Sequence, residues 1–117
     1  MTTFRNVMRA VIVSYTAGFG AVGSGAQAQE TVTIQLSITN HRFQPAEIKA
    51  PADKPIKLQI KNFDATPAEF ESVTLRVEKV IAGNSEGVIN LRPLKPGVYK
   101  FFDDFNKATT QGTLVVQ

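Results

Sequence analysis

The stretch PGVYKFFDDFNKATTQGTLVV, residues 96–116, decides the fold of this chain. Its opening Pro-Gly pair predicts a turn, and the strand that follows carries Tyr99 and Phe101 in alternation with other residues. A polar loop comes next, and Gly112 ends it before a closing strand over residues 113–116. The stretch therefore predicts two strands joined by a polar loop at the end of an all-β domain.

The first 28 residues predict a secretion leader. Arg5 and Arg9 give a positive start, residues 10–23 are mostly apolar or small, and Ala26-Gln27-Ala28 is a small-x-small cleavage site. The apolar run is broken by glycines and is shorter than the ~20 residues of a membrane-spanning helix. We expect a cleaved signal peptide over 1–28 and a mature domain over 29–117 that does not span a membrane. An uncleaved anchor is the alternative.

The composition of residues 29–117 excludes several function classes. Eleven Lys or Arg face ten Asp or Glu, a net charge of +1, because two of the 13 basic residues lie in the leader. No cluster of basic and aromatic residues indicates nucleic-acid binding. The chain has no Cys for disulfides or thiol redox chemistry, both Met lie in the leader, and His41 is the only imidazole. Neither a Ser/His/Asp arrangement nor a Gly-rich phosphate loop is present.

Strand patterns dominate the mature chain. Residues 31–39 and 56–62 alternate between apolar and polar side chains, as half-buried strands do. Residues 70–81 alternate with a slip after Val77, which predicts either a bulge or two short strands. Shorter strands are predicted over residues 47–50 and 88–91. Four aromatic side chains are predicted to lie in the core: Phe43, Phe63, Tyr99 and Phe101. About seven short strands with regular turns and no helix predict an all-β, Greek-key β-sandwich.

The order of these segments resembles the cupredoxin superfamily. The resemblance is carried by Phe43-x-Pro45-x-x-Ile48, by the turn and strand Leu94-x-Pro96-Gly97-x-Tyr99, and by Gly112-x-Leu114-Val115-Val116. Residues 66–72 with 75–81, and residues 101–105, are similar to the Cys-less cupredoxin-like proteins of bacterial ferrous-iron uptake. This resemblance implies a periplasmic protein that binds a copper or iron ion. It further implies ferroxidase-type assistance to an inner-membrane iron permease, together with a second periplasmic iron-binding protein.

The same resemblance suggests metal ligands in the closing loop. Blue-copper proteins carry a Cys at the strand end, then a His, then a Met or Gln before the last strand, and this chain has Asp103, Asn106 and Gln111 at those positions. Another His of that family falls in the earlier loop, where Glu69 is the candidate ligand here. Asn106 departs most from the pattern, because its amide oxygen is a weak ligand.

Glu69 and Asp103, with Asp104 as a further or replacement ligand, would form a hard, anionic site. Such a site favours iron, manganese or Cu(II) over Cu(I), and it stabilises Fe(III) relative to Fe(II). The alternative is that the adjacent Asp103 and Asp104 only make the loop soluble. Gln111 is either an axial ligand or an ordinary polar loop residue.

Two other groups remain open. His41 lies in the turn after the first strand, where it is a ligand, a proton acceptor or simply a hydrogen-bonded surface residue. Glu71 shares a strand face with Glu69 and is either a supporting ligand or a solvated side chain. Arg76 and Glu78 also share a face and are either an ion pair or solvated side chains.

Three functions are therefore compatible with the sequence. The first is a periplasmic metal-binding protein that assists ferrous-iron uptake, either with or without Fe(II) oxidation. The second is a copper carrier or electron-transfer protein without catalysis, and the third is a binding module that has lost its metal.

Overall fold

A computed structural model describes residues 30–117 of the chain. The predicted signal peptide and the mature start at Gln29 lie outside these residues, so both stay predictions. The described part is a sandwich of two β-sheets built from nine strands. The strands are β1 (Val32–Ile38), β2 (Phe43–Gln44), β3 (Glu47–Ala50), β4 (Ile56–Asn62), β5 (Ala68–Ser72), β6 (Val77–Ile81), β7 (Ser85–Leu91), β8 (Gly97–Asp103) and β9 (Gln111–Val116).

The first sheet has the order β2-β1-β4-β7, and the second has the order β3-β9-β8-β5-β6. In the first sheet β1 runs parallel to β4, while β4 and β7 are antiparallel. In the second sheet β8 pairs antiparallel with both β9 and β5, which places the closing hairpin beside the β5–β6 hairpin. A 3-10 turn over Asp104–Asn106 follows β8.

Apolar side chains from both sheets meet between them, because alternate residues of each strand face inward. The strands β4 and β5 show this alternation along their whole length. At one end of the core three aromatic rings pack together: Phe43 contacts Phe101 edge to face at 4.9 Å between ring centroids, and Phe101 stacks on Phe70 at 5.0 Å. This cluster joins the first sheet to the two strands that lead into the site described below.

The sandwich and most strands confirm the sequence predictions, and the differences are local. The segment 70–81 forms two short strands, since Ser72 ends β5 and a four-residue turn over 73–76 separates it from β6. Phe63 was expected in the core, but it follows the last residue of β4 and is 60% exposed. The strands β7 and β9 begin at Ser85 and Gln111, earlier than their sequence patterns indicated.

Among residues 30–117 no helix has the length and apolar character needed to cross a membrane.

Substitution of Gly112 tests the packing between the closing hairpin and the aromatic cluster. A Cβ at this position would lie 2.5 Å from Cε1 of the buried Phe101 ring and 2.8 Å from the backbone oxygen of Ala46. We expect Gly112→Ala to lower the free energy of unfolding by about 1–3 kcal/mol, because neither neighbour is free to move. Urea unfolding measures the change.

Gly97→Ala is the matched control, since a Cβ there meets nothing closer than Cε1 of Tyr99 at 3.5 Å. Equal stability losses in the two variants would contradict the packing argument.

Candidate metal centre

Four carboxylates meet on the outer face of the second sheet, and we call them the outer acidic cluster: Glu69, Glu71, Glu78 and Asp104. Glu69 and Glu71 point outward because Ala68, Phe70 and Ser72 of the same strand face the core. Glu78 is the register partner of Glu71 on β6. Asp104 reaches the same place from the 3-10 turn, because Phe70 and Asp103 are paired across β5 and β8.

Within this cluster Glu69, Glu71 and Asp104 each offer a carboxylate oxygen within 4.8 Å of the others. In the part of the chain that the structure describes, this is the one group of three or more acidic or histidine side chains with metal-binding spacing. Oxygen donors at such separation suit hard cations.

The crowding of these carboxylates affects the pKa of Glu69. Partial burial raises the pKa of Glu69 above its ordinary value of 4.5, and the negative charges of Glu78, Asp104 and Glu71 raise it further. A hydrogen bond between the carboxyl groups of Glu69 and Glu78 acts in the same direction. A cation placed among these groups would relieve the repulsion, because it would offset the negative charges that now face one another.

Asp103 lies on the opposite side of the strand and has a different environment. It is 1% exposed, and its carboxylate accepts three hydrogen bonds. Oδ1 accepts from the backbone N–H of Glu69 at 2.9 Å and of Phe105 at 3.0 Å, and Oδ2 accepts from Nδ2 of Asn106 at 3.1 Å. We call these four groups the Asp103 cluster. Its carboxylate faces donors of the protein, and it does not join the outer acidic cluster.

The loop over 104–110 is closed by further hydrogen bonds. The backbone N–H of Asp103 donates to the oxygen of Thr110 at 2.9 Å, which joins the two ends of the loop. The backbone oxygen of Asn106 accepts from the N–H groups of Thr109 and Thr110. The hydroxyl of the buried Thr110 donates to the backbone oxygen of His41, so the loop is also fastened to the β1–β2 turn.

His41 occupies that turn, and its imidazole is 47% exposed. The carboxylate of Asp64 accepts from the backbone N–H groups of Asn40 at 2.7 Å and His41 at 2.9 Å. Nδ1 of His41 lies 3.6 Å from Oδ2 of the same carboxylate. The turn therefore needs Asp64 to bind its two amides, both of which belong to residues with positive φ.

Gln111 begins β9 opposite Phe102, and its side-chain amide donates to the backbone oxygen of Lys107 at 2.9 Å. Lys107 in turn places its ammonium 4.9 Å from the centre of the Phe102 ring, a cation–π contact. These contacts hold the far side of the loop against the outer sheet face.

The structure thus brings Glu69 and Asp104 together as predicted neighbours, and it adds Glu71, which the strand alternation had suggested. Asp103, His41 and Gln111 lie outside that group. The role of these three, and of Glu69 and Asp104, as metal ligands stays a prediction. Glu78 was a candidate for an ion pair with Arg76 or for a solvated side chain, and the structure places it opposite Glu71, where its charge acts on Glu69. Sequence reasoning missed this contact because it depends on the register of the β5–β6 hairpin.

The outer face of this sheet also carries an open, largely apolar groove of about 870 Å³. Val73, Val98 and Phe102 contribute to its lining, and none of the outer acidic cluster does. Its walls come from segments far apart in the chain, so no local sequence pattern predicts it.

Comparison with known proteins identifies the fold. The profile of the family described as "Cupredoxin-like domain" matches residues 10–116. An uncharacterized protein of Rickettsia prowazekii (strain Madrid E) is 40% identical over 83 residues, which are 71% of this chain and 66% of that protein. The matched part is thus a little under two thirds of the relative's length.

Solved structures agree with this match. Auracyanin A, a "blue" copper protein from Chloroflexus aurantiacus, superposes with a TM-score of 0.64 at 15% identity, covering 75% of this chain and 100% of auracyanin. The metal-binding domain of the Cu(I)-exporting ATPase CopA of Streptococcus pneumoniae D39 gives 0.62 at 19% identity, covering 78% and 99%. At these identities the likeness shows the fold, and it confirms the predicted sandwich.

The residues of this chain do not fit a blue-copper site. Such a site takes two imidazoles and a thiolate, with a weak axial Met or Gln. The chain has no Cys and a single His, whose ring lies beside Asp64, and the strand-end position holds a carboxylate that is already hydrogen-bonded. No type of copper chemistry that needs a thiolate can be assigned to residues 30–117.

The raised pKa of Glu69 predicts a pH-dependent stability. The folded state holds the Glu69 proton more tightly than the unfolded state, so folded stability falls as pH rises from 4.5 through the raised pKa. Glu69→Gln removes this loss. We expect the variant to gain stability relative to the natural protein as pH rises above 4.5, as measured by urea unfolding at a series of pH values.

Glu30→Gln, at an exposed position before β1, serves as the control. A stability difference between Glu69→Gln and the natural protein that stays constant with pH would rule out the proposed repulsion.

Proposed function

Because the chain belongs to the family of cupredoxin-like domains, we propose that it is a periplasmic metal-binding protein that handles iron for uptake. The ion is cargo or substrate, and it is bound by Glu69, Glu71 and Asp104 of the outer acidic cluster. The observation that carries the proposal is the spacing of their three carboxylate oxygens, within 4.8 Å of one another.

Carboxylate ligands match iron better than the copper of the structural relatives. Hard oxygen donors bind Fe(III) more tightly than Fe(II), because the additional charge of the ferric ion strengthens the attraction to anionic oxygen. A site made of them therefore lowers the potential of the iron couple and favours loss of an electron from Fe(II). The mutual repulsion that raises the pKa of Glu69 supports the proposal, since a bound cation would relieve it.

Export and partners are part of the same proposal. The pattern of residues 1–28 supports secretion, and the similarity of residues 66–72, 75–81 and 101–105 to iron-uptake proteins supports delivery to an inner-membrane iron permease. A second periplasmic iron-binding protein would exchange the ion with this domain. The exposed position of Asp104 leaves the cluster open to such a partner.

The proposed function extends to catalysis, in which the protein oxidises the bound Fe(II) and dioxygen is the electron acceptor. Each Fe(II) gives up one electron, and four such electrons with four protons reduce one dioxygen to two waters. The protein's own contribution is to bind Fe(III) more tightly than Fe(II).

Substitution of the clustered carboxylates tests the site. We expect Glu69→Gln, Glu71→Gln and Asp104→Asn each to weaken binding of anaerobic Fe(II) by about tenfold or more, because each removes an anionic oxygen ligand. Calorimetric titration of residues 29–117 measures the affinity, and an oxygen electrode then measures uptake by the loaded protein.

Glu86→Gln is the matched control, as an exposed strand glutamate on the other sheet. Iron affinity that is unchanged in all three cluster variants would remove the site, and absence of iron binding by the natural protein would remove the function.

A copper carrier without catalysis is the second candidate, and the exposed imidazole of His41 favours it. The ring has the Asp64 carboxylate at 3.6 Å, so one nitrogen and one oxygen donor lie together at the surface. Imidazole and carboxylate are both suitable donors for Cu(II).

His41→Ala distinguishes this candidate from the iron site. If copper is the cargo, Cu(II) affinity falls by about tenfold or more in His41→Ala and is unaffected by Glu71→Gln. The reverse pattern in a Cu(II) titration would place copper at the outer acidic cluster and exclude His41.

A further inference from the structure

The side chains at the end of β8 are not those that bind copper in a blue-copper site, and the structure gives the reason. Asp103 ends this strand with its side chain facing inward, in line with the core residue Phe101. A carboxylate that is 1% exposed requires partners, since an unpaired buried charge is strongly destabilising. All its partners here are hydrogen-bond donors of the protein itself.

These donors come from two different segments of the chain. The N–H of Glu69 belongs to β5, while the N–H of Phe105 and the amide of Asn106 belong to the turn after β8. One side chain thus joins the neighbouring strand to the start of the loop. A metal ion in this fold family would join segments at the same place through its ligands.

We infer that the Asp103 cluster fixes the loop over 104–110 in its native shape without any metal ion. Asp103 and Asn106 are then a structural pair that replaces metal coordination at the strand end. Charge-assisted hydrogen bonds are about twice as strong as neutral ones, which suits a single carboxylate to this task. A hydrogen bond from the backbone N–H of Asp103 to the oxygen of Thr110 also joins the two ends of the loop.

The cluster also positions the outer carboxylates, a consequence that rests on the proposed function. Oδ1 of Asp103 binds the amides of Glu69 and of Phe105, the residue that follows Asp104. The backbones that carry two of the proposed iron ligands are therefore held at a fixed spacing by one buried atom. Asp103 is in this sense a positioning residue for the site.

Amide hydrogen exchange tests the inference on the mature protein after EDTA treatment, with no metal present. The N–H groups of Glu69 and Phe105 should exchange slowly in this metal-free state. In Asp103→Ala we expect both to exchange about tenfold faster or more, because their acceptor is gone. Asp104→Asn is the adjacent control and should leave these two amides protected.

Interchanging the side chains at positions 103 and 106 tests the contact between them. Asn106→Asp places a second carboxylate against Oδ2 of Asp103, and we expect it to speed exchange of the Phe105 amide by about tenfold or more. Adding Asp103→Asn restores a donor–acceptor pair, with the amide now at 103 and the carboxylate at 106. Exchange in the double variant should return to within about threefold of the natural protein.

Two results would overturn the inference. Fast exchange of the Glu69 and Phe105 amides in the metal-free natural protein, followed by protection when a metal is added, would show that a metal organises the loop. Failure of the double variant to recover protection would show that Asp103 and Asn106 do not act as a pair. Neither result depends on iron binding, so failure of this inference is distinguishable from failure of the proposed function.

Discussion

A buried carboxylate connects three parts of this domain, and their geometry depends on it. Asp103 at the end of β8 has almost no contact with solvent, yet its oxygens accept from an amide of β5 and from two groups of the turn after β8. Loss of one donor leaves a buried acceptor incompletely satisfied, and loss of the acceptor leaves two backbone amides without partners. The loop, the strand end and the neighbouring strand therefore form one cooperative unit.

The packing of the aromatic cluster determines the position of this hydrogen-bonded unit. Phe101 lies two residues before Asp103 on the same inner face, and Phe70 is the register partner of Asp103 on β5. The stacked rings of Phe70 and Phe101 fix the separation of β5 and β8 at the point where the carboxylate bridges them. Phe43 packs against both rings from the other sheet, so the position of the hydrogen-bonded unit is determined by core packing.

The sequence predicts much of this architecture where local pattern and tertiary environment agree. The strict alternation of residues 56–62 predicted β4 with its observed bounds, because every second side chain enters the core. The β5–β6 hairpin stayed undecided, since its turn over 73–76 contains no Gly, Pro or Asn, and Arg76 itself takes the positive φ of 56°. Phe63 was placed in the core on size alone, although it lies beyond the last residue of β4.

The candidate site was likewise predictable only where it follows from local pattern. The shared face of Glu69 and Glu71 follows from alternation within one strand, and it was predictable. The proximity of Glu78 and Asp104 depends on strand register and on the 3-10 turn, which no local pattern encodes. The inward orientation of Asp103 had a signal in the alternation of Tyr99, Phe101 and Asp103, but an acidic residue at the end of a strand resembles a solvated one.

Adjacent aspartates consequently have opposite chemistry in this fold. Asp103 faces a set of donors that satisfies its carboxylate, whereas Asp104 faces other carboxylates that leave negative charge uncompensated. A proton or a cation placed among these groups would reduce the same repulsion. The strand parity that buries one aspartate and exposes the next therefore places the two carboxylates in separate environments. The interior of the sandwich holds the loop in place, and the outer sheet face remains available to a cation.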